Sequence, residues 1–194
     1  MTAIDLAGFA SKFAAEDDPW RTFTSRDEAV KRTAILHGLG SGPIGRVLEV
    51  ASGNGSNSVA IAPRALRLDA TEGTIEGTRL TADALAACPR ATATRLVLPA
   101  RPPGRDYDAI VVAEILYYLS PKVMAAVADM AARRLRPSGR LVLAHHKIDF
   151  YDFVQHARGI NTRFLAQTSV RWDVRCLRSC RRWEVLVARR LSST

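Results

Sequence analysis

Apolar residues change their spacing several times along the chain, and each change marks an element. Ile4, Leu6, Phe9 and Phe13 recur at helical intervals, which predicts a short amphipathic helix over residues 3–15. The DDPW stretch ends it, because proline cannot continue a helix and restricts the residue before it. A second helix opens at Ser25, with Glu28 three residues on as its capping-box partner, and closes at His37 before Gly38. Residues 47–50 read as a strand, 56–62 as a short helix closed by Pro63, and 65–68 as a second strand ending at Asp69. Residues 74–87 form a helix before Pro89, 92–98 a third strand, and 109–113 a fourth with an almost continuous apolar run. Ser120 caps a helix with Pro121 at its first position, where proline is tolerated. That helix ends near Leu135, before a Pro-Ser-Gly turn, and residues 141–144 are a fifth strand. Residues 150–166 are expected to be helical. SVRWDVRCL and WEVLVARR then close the chain as an antiparallel hairpin turning at 179–181.

Strands that alternate with helices argue for an α/β fold whose parallel sheet is covered on both faces. Runs such as VVA and LVLA suit strands buried on both sides. No repeat or low-complexity linker divides the chain, and 194 residues suit one such domain. A hydrophobic fraction of 47% predicts a packed core rather than disorder. No apolar run approaches a membrane span. The N-terminal stretch carries Asp5, Glu16, Asp17 and Asp18 and lacks the pattern of a signal peptide, so a cytoplasmic protein is expected. Cys88, Cys176 and Cys180 form no C-x-x-C pair and are read as structural or incidental thiols. The net charge is +9, and 24 of the 28 basic residues are arginine. Nine arginines follow Gln155, so a basic C-terminal face could attract an anionic substrate or RNA; a merely solvated face is the simpler reading.

The stretch VLEVASGNGSNS joins the first strand to a helix, at the edge where parallel sheets bind ligands. Gly53 and Gly55 allow a tight turn and close approach of a ligand. Glu49 lies inside the strand end, as a cofactor contact or a structural acid. Asp69 ends the second strand and is placed to accept two ribose hydroxyls. Ser58 stands where a dinucleotide site needs its third glycine, and no Walker lysine follows. A cofactor with adenosine and ribose but no phosphate fits better. Ala51 replaces a usual glycine; its methyl is tolerated if the turn residue has φ < 0.

LEVASGNG resembles motif I of class I S-adenosylmethionine-dependent methyltransferases, usually E/D-x-G-x-G-x-G. YDAIVVAEILYYLS resembles their strand-four motif, LRPSGRLVLAHH their strand-five motif, and the terminal hairpin their antiparallel seventh strand. The resemblance covers most of residues 15–190. AEDDPW, the helix with EAVKRTAIL, and VVAEILYYL are similar to the NodS family of nodulation methyltransferases, which methylate the free amine of a deacetylated chitooligosaccharide.

The resemblance implies a Rossmann-like, mostly parallel seven-stranded sheet with a C-terminal antiparallel hairpin. It divides 1–194 into a helical lid (1–40), a cofactor-binding core (45–145) and an acceptor-side helix with hairpin (146–194). The cofactor is S-adenosylmethionine, leaving S-adenosylhomocysteine as product. Glu49, Ala51, Gly53 and Gly55 would wrap its methionine and ribose, Asp69 and Ala70 the ribose, and Leu96 and Val97 the adenine. Trp20 would belong to the lid or serve as a core anchor. Glu114 would end strand four beside the sulfonium and face the acceptor. Tyr117, Tyr118, Asp149 and Tyr151 would shape the acceptor pocket, one of the two tyrosines being core.

Methyl transfer from a sulfonium needs alignment, and an amine acceptor must also lose a proton. Glu114, His145 and His146 are the candidates for that task; strand alternation turns only one histidine toward the cleft. Ordinary strand-end hydrogen bonding accounts for the histidines equally well. Nothing near them has metal-ligand spacing, so no metal is expected. A small-molecule amine or hydroxyl, such as an aminosugar or another sugar-containing metabolite, is the expected acceptor of a monomer or homodimer. The alternatives are an RNA or protein methyltransferase, a nicotinamide-dependent oxidoreductase, or a non-catalytic cofactor-binding relative. Nucleic acid is disfavoured because aromatic and basic residues interleave only at Trp172 and Trp183.

Overall fold

The computed structural model describes residues 3–191. Helix α1 (Leu6–Ala15) starts where Asp5 accepts the Gly8 N–H, and α2 (Arg26–Leu39) where Ser25 accepts that of Glu28. There follow β1 (Ile44–Val50), α3 (Ser58–Ile61), β2 (Ala65–Glu72), α4 (Ile75–Ala84), β3 (Ala91–Arg95) and β4 (Tyr107–Ala113). The chain ends with α5 (Pro121–Arg134), β5 (Leu135–His146), α6 (Ile160–Ala166), β6 (Trp172–Ser179) and β7 (Trp183–Arg190). The seven strands form one sheet in the order β3-β2-β1-β4-β5-β7-β6. The first five are parallel, and β7 runs antiparallel to β5 and β6, as the sequence pattern predicts. Strand order reverses between β1 and β4, which opens a crevice beyond their carboxyl ends. Among the described residues, no helix is long and apolar enough to cross a membrane.

Alternation along the strands feeds two cores. Leu48, Val50, Ile110, Val112, Leu141 and Leu143 pack under α5 and α6. Val47, Leu68, Ala70, Val111, Val142 and Ala144 pack under α2 and α3. Ala70 is thus a core residue, and its expected ribose contact is corrected.

Several boundaries differ from the expected ones, and four of them bear on the site. Strand β3 stops at Arg95, leaving Leu96 and Val97 in the following loop. Strand β5 begins before the Pro-Ser-Gly turn, which it carries as a bulge: the register steps from Tyr107–Leu135 to Ala109–Arg140. The helix expected over 150–166 survives only as α6. Asp149 accepts the Ala157 N–H at 2.6 Å and lies 2.7 Å from His156 Nδ1, holding the preceding segment as a loop.

Most consequential is β2, which runs on from Asp69 to Glu72. Asp69 is fully buried, with Arg46 Nε 2.6 Å and the Tyr107 hydroxyl 3.0 Å from Oδ2, and Arg67 Nε 3.3 Å from Oδ1. Arg46 and Tyr107 belong to the starts of β1 and β4, so this carboxylate points away from the ligand edge. Burial pushes it up, but the donors outweigh burial and hold it below the ordinary carboxylate range.

Candidate cofactor and acceptor site

The loop after β1 holds three left-handed residues: Ala51 (φ 56°), Gly53 (φ 60°) and Gly55 (φ 83°). The negative φ expected at Ala51 is therefore corrected. A left-handed alanine costs roughly 1 kcal/mol that glycine avoids. Ala51→Gly is expected to raise the unfolding free energy by up to about 1 kcal/mol; an unchanged or lower urea midpoint would show that the methyl's packing outweighs the strain. A Cβ on Gly55 would press to 3.0 Å on the Thr81 backbone, so the glycine lets the loop settle onto α4. Above Gly53 stands the Phe13 ring, 3.7 Å from where a Cβ would be.

Two buried acids flank this loop. Glu49 accepts the Ser58 hydroxyl at 2.5 Å, so Ser58 serves the acid rather than filling a missing glycine's place. Burial pushes the Glu49 carboxyl up to about 7. Glu72, at the end of β2, accepts the Gly53 N–H at 3.1 Å, the Thr74 N–H at 2.9 Å and the Thr74 hydroxyl at 3.1 Å. Burial raises its carboxyl beyond what these donors offset. Glu72 therefore occupies the edge position expected of Asp69. The half-buried Leu96 donates its N–H to the Glu72 carbonyl at 2.7 Å, and Val97 next to it is exposed. This donor set fits S-adenosylmethionine and not a dinucleotide. The Gly53 N–H that could meet a pyrophosphate is already bound to a carboxylate, and two acids would repel that group.

The segment between α1 and α2 fastens onto the loop. The Asn54 amide donates to the Asp18 carboxylate at 2.9 Å and to the Asp17 carbonyl at 3.1 Å. Asp18 also accepts the Thr22 and Phe23 N–H groups at 2.6 and 3.0 Å. Trp20 packs against Phe9 and Phe13, with ring centroids 5.8 and 5.3 Å apart, and is 37% exposed. It anchors the turn to α1, while Phe13 covers the loop.

Across the crevice, Glu114 ends β4 with a left-handed backbone (φ 54°). Its Oε1 binds Lys31, and its Oε2 accepts the Tyr117 hydroxyl and the His146 N–H, the last at 3.3 Å. Lys31 is 2% exposed and also binds Glu28 at 2.8 Å. Burial pulls the ammonium down, yet the two carboxylates outweigh it and hold Lys31 above its ordinary value. Burial likewise pushes Glu114 up, and Lys31 outweighs it and holds the carboxyl below its ordinary value. A carboxyl held below its ordinary value is a poor proton acceptor, so Glu114 is an anchor and its expected role as a base is corrected.

The two histidines separate by strand parity. His145 Nε2 accepts the Leu116 N–H at 3.3 Å, and Nδ1 lies 2.8 Å from Asn161 Oδ1. Because an N–H can only donate, His145 carries its proton on Nδ1. Burial lowers its pKa to about 4. With both nitrogens satisfied and no exposed surface, His145 is a structural residue, correcting its candidacy as a base. His146 faces the other way. Its Nδ1 lies 3.2 Å from the Arg182 carbonyl, which fixes the proton there, and Nε2 stands 3.9 Å from Glu114 Oε1.

Aromatic rings connect the two histidines: Tyr117 meets His145 edge-on at 5.6 Å, and Phe150 meets His146 at 5.4 Å. Tyr117 stacks on Phe153 at 3.7 Å, and Tyr118 meets Phe9 and Phe153 edge-on at 4.9 and 5.0 Å. Tyr117 is buried with its hydroxyl on Glu114, whereas Tyr118 is half-buried in the wall. Asp149 is consumed by the loop contacts described above, and Tyr151, 68% exposed, lies on the surface. The loop bonds of Asp149 correct its expected place in the acceptor pocket, whereas Tyr151 lies near enough to Tyr118 to join burial in raising that hydroxyl above its ordinary value. Among the described residues, no three His, Cys, Asp or Glu side chains gather as a metal site.

A seven-stranded sheet in this order, with a glycine loop between two buried acids at its carboxyl edge, defines a class I S-adenosylmethionine-dependent methyltransferase. The family described as nodulation protein S (NodS) matches residues 8–180, and the chain belongs to that family. Its fold is similar to the N-methyltransferase NodS of Bradyrhizobium japonicum WM9 in complex with S-adenosylhomocysteine. The TM-score is 0.82 at 21% identity, over 95% of this chain and 97% of that one. A methyltransferase structure from Pseudomonas syringae is similar at TM-score 0.73 and 22% identity, over 86% and 100% of the two chains. Phosphoethanolamine N-methyltransferase 1 of Haemonchus contortus is similar at TM-score 0.69 and 15% identity, over 97% of this chain and 50% of that one. A comparison with curated protein sequences gave no match.

Proposed function

We propose that the protein methylates the amine of a small molecule, an aminosugar being the favoured acceptor. The observation that carries this reading is His146 Nε2, which is free of hydrogen bonds beside a fixed carboxylate. When bound, S-adenosylmethionine supplies an activated methyl group on its sulfonium. Glu72 accepts the ribose hydroxyls, Glu49 meets the methionine ammonium, and Leu96 and Val97 flank the adenine. His146 takes the proton that the acceptor amine must lose. Glu114, held by Lys31 and Tyr117, stabilises the imidazolium so formed. The rings of Tyr118 and Phe153 supply an electron-rich wall suited to a developing methylammonium. The names of the NodS and phosphoethanolamine N-methyltransferases support an amine rather than a hydroxyl acceptor. Aminosugar acceptance is the narrower part and rests on the NodS resemblance.

The test is transfer of labelled methyl to a deacetylated chitooligosaccharide, a simple alkylamine and the fully acetylated oligosaccharide. Label is expected on the free-amine sugar and absent from the acetylated one. Equal labelling of both, or none on any amine by protein that binds S-adenosylhomocysteine, would sink the proposal.

A further inference from the structure

The amino ends of β1, β2 and β3, opposite the reaction edge, surround a second depression. A cavity of about 700 Å³ opens there, between the end of α2, the loop over 40–43, the turn into β2 and the residue before β3. That volume lies within the roughly 300–1,000 Å³ of small-molecule sites. Its walls bring together His37, Arg64 and Arg90 from three separate segments, and no Asp or Glu lines it among the described residues. Single unpaired arginines are ordinary on a surface, but basic groups that converge on one concavity focus their field and concentrate anions there. One terminal nitrogen of Arg64 donates to the Leu36 carbonyl at 3.1 Å, and Arg140 donates to that of Leu39. Those contacts offset the negative end of the α2 dipole, which would otherwise repel an anion. The Arg64 fork keeps further donors, and the side chains of Arg90 and His37 have no hydrogen-bond or ion-pair partner among the described residues. Gly42 has φ 86°, and a Cβ there would meet nothing within 4 Å, so its backbone is open to close approach. The rest of the wall is apolar: Pro43, Pro63 and Leu66, the last 53% exposed.

We propose that this cavity binds a phosphate monoester with an apolar, ring-bearing body. The phosphate sits between Arg64, Arg90 and His37, where a guanidinium can donate in pairs to its oxygens. The body lies on Pro43 and Leu66 and covers apolar surface that a bare inorganic ion would leave wet. Glu49, Glu72 and Glu114 stand at the opposite edge of the sheet, so the two sites can be filled together.

The experiment is a titration of the full chain with 1-naphthyl phosphate, with S-adenosylhomocysteine at saturation to keep the crevice filled. The readout is the His37 ring resonances, assigned by their loss in His37→Gln. Inorganic phosphate and 1-naphthol are separate arms. The ester is expected to shift His37 with a dissociation constant below roughly 1 mM, and each half-ligand to bind at least about 10-fold more weakly. Arg90→Ala replaces an exposed side chain and is expected to weaken the ester about 10- to 100-fold, the range of a charge-assisted hydrogen bond, while barely changing 1-naphthol. An unmoved His37 overturns the proposal, as does an ester affinity unchanged in Arg90→Ala. Inorganic phosphate binding as tightly as the ester makes the cavity a simple ion site, and 1-naphthol doing so makes it an apolar one; either result overturns the proposal too.

Discussion

Glu72→Gln is expected to weaken S-adenosylhomocysteine binding about 100-fold while lowering the unfolding midpoint less than Asp69→Asn does. The factor corresponds to two hydrogen bonds from ribose hydroxyls to a charged acceptor, at roughly 1.5 kcal/mol each. The stability forecast follows from the sign of the carboxyl's shift. Burial raises the Glu72 value, so keeping it ionised in the folded protein opposes folding; a neutral isostere removes that cost but turns an amide NH2 toward the Gly53 or Thr74 N–H, which offsets the gain. Asp69→Asn reverses the pattern. Its carboxyl is depressed by Arg46 and Tyr107, so the ionised form favours folding. That contribution is present above the unfolded carboxyl value and is lost as pH falls through the lower folded one. Removing it is expected to cost about 2–3 kcal/mol, moderated because both arginines are partly solvated. Calorimetric affinity and urea unfolding on the two variants decide the matter. Lost affinity in Asp69→Asn with normal stability would return the ribose to Asp69.

His146→Ala is expected to lower turnover at least about 100-fold, the lower range for losing a general base, with S-adenosylhomocysteine affinity nearly intact. His145→Ala should instead cost about 2–3 kcal/mol of stability, because it strands the Leu116 N–H and Asn161 in the interior. Its pH signature is distinct. His145 is neutral when folded down to about pH 4 but takes up a proton near 6.5 when unfolded. Wild type should therefore lose stability as pH falls from about 6.5 toward 4, and the variant should lack that component. Turnover that persists in His146→Ala would remove the histidine from the chemistry.

The sheet was legible because hydrophobic periodicity is local: VLEV, AIVVA and LVLA declare themselves within a few residues. The acids were not. Asp69 and Glu72 lie three residues apart on one strand, and what separates them comes from Arg46, Arg67 and Tyr107 on other segments. A local signal did exist. Thr74 caps α4, which sets the strand-to-helix turn at 73–74 and leaves Glu72 at the edge. Lys31 gave no such hint. A lysine on an amphipathic helix reads as solvated, and its partner Glu114 is 83 residues away. Alternation said that one of His145 and His146 faces the crevice. Which one depended on the face that α2 covers, a tertiary fact.

Lys31 also changes what the N-terminal region is. The first 40 residues look like a detachable cover placed over a finished catalytic unit. Their buried ammonium, however, balances the carboxylate that ends β4, and Asp18 holds the amide of the glycine loop. Shorn of them, the sheet would lose the helix that covers part of one face and carry a carboxylate without its ammonium at its reaction centre. The cover and the covered share one electrostatic account, so evolution cannot graft this front end onto another catalytic body, or exchange it, without rewriting both sides of the junction together.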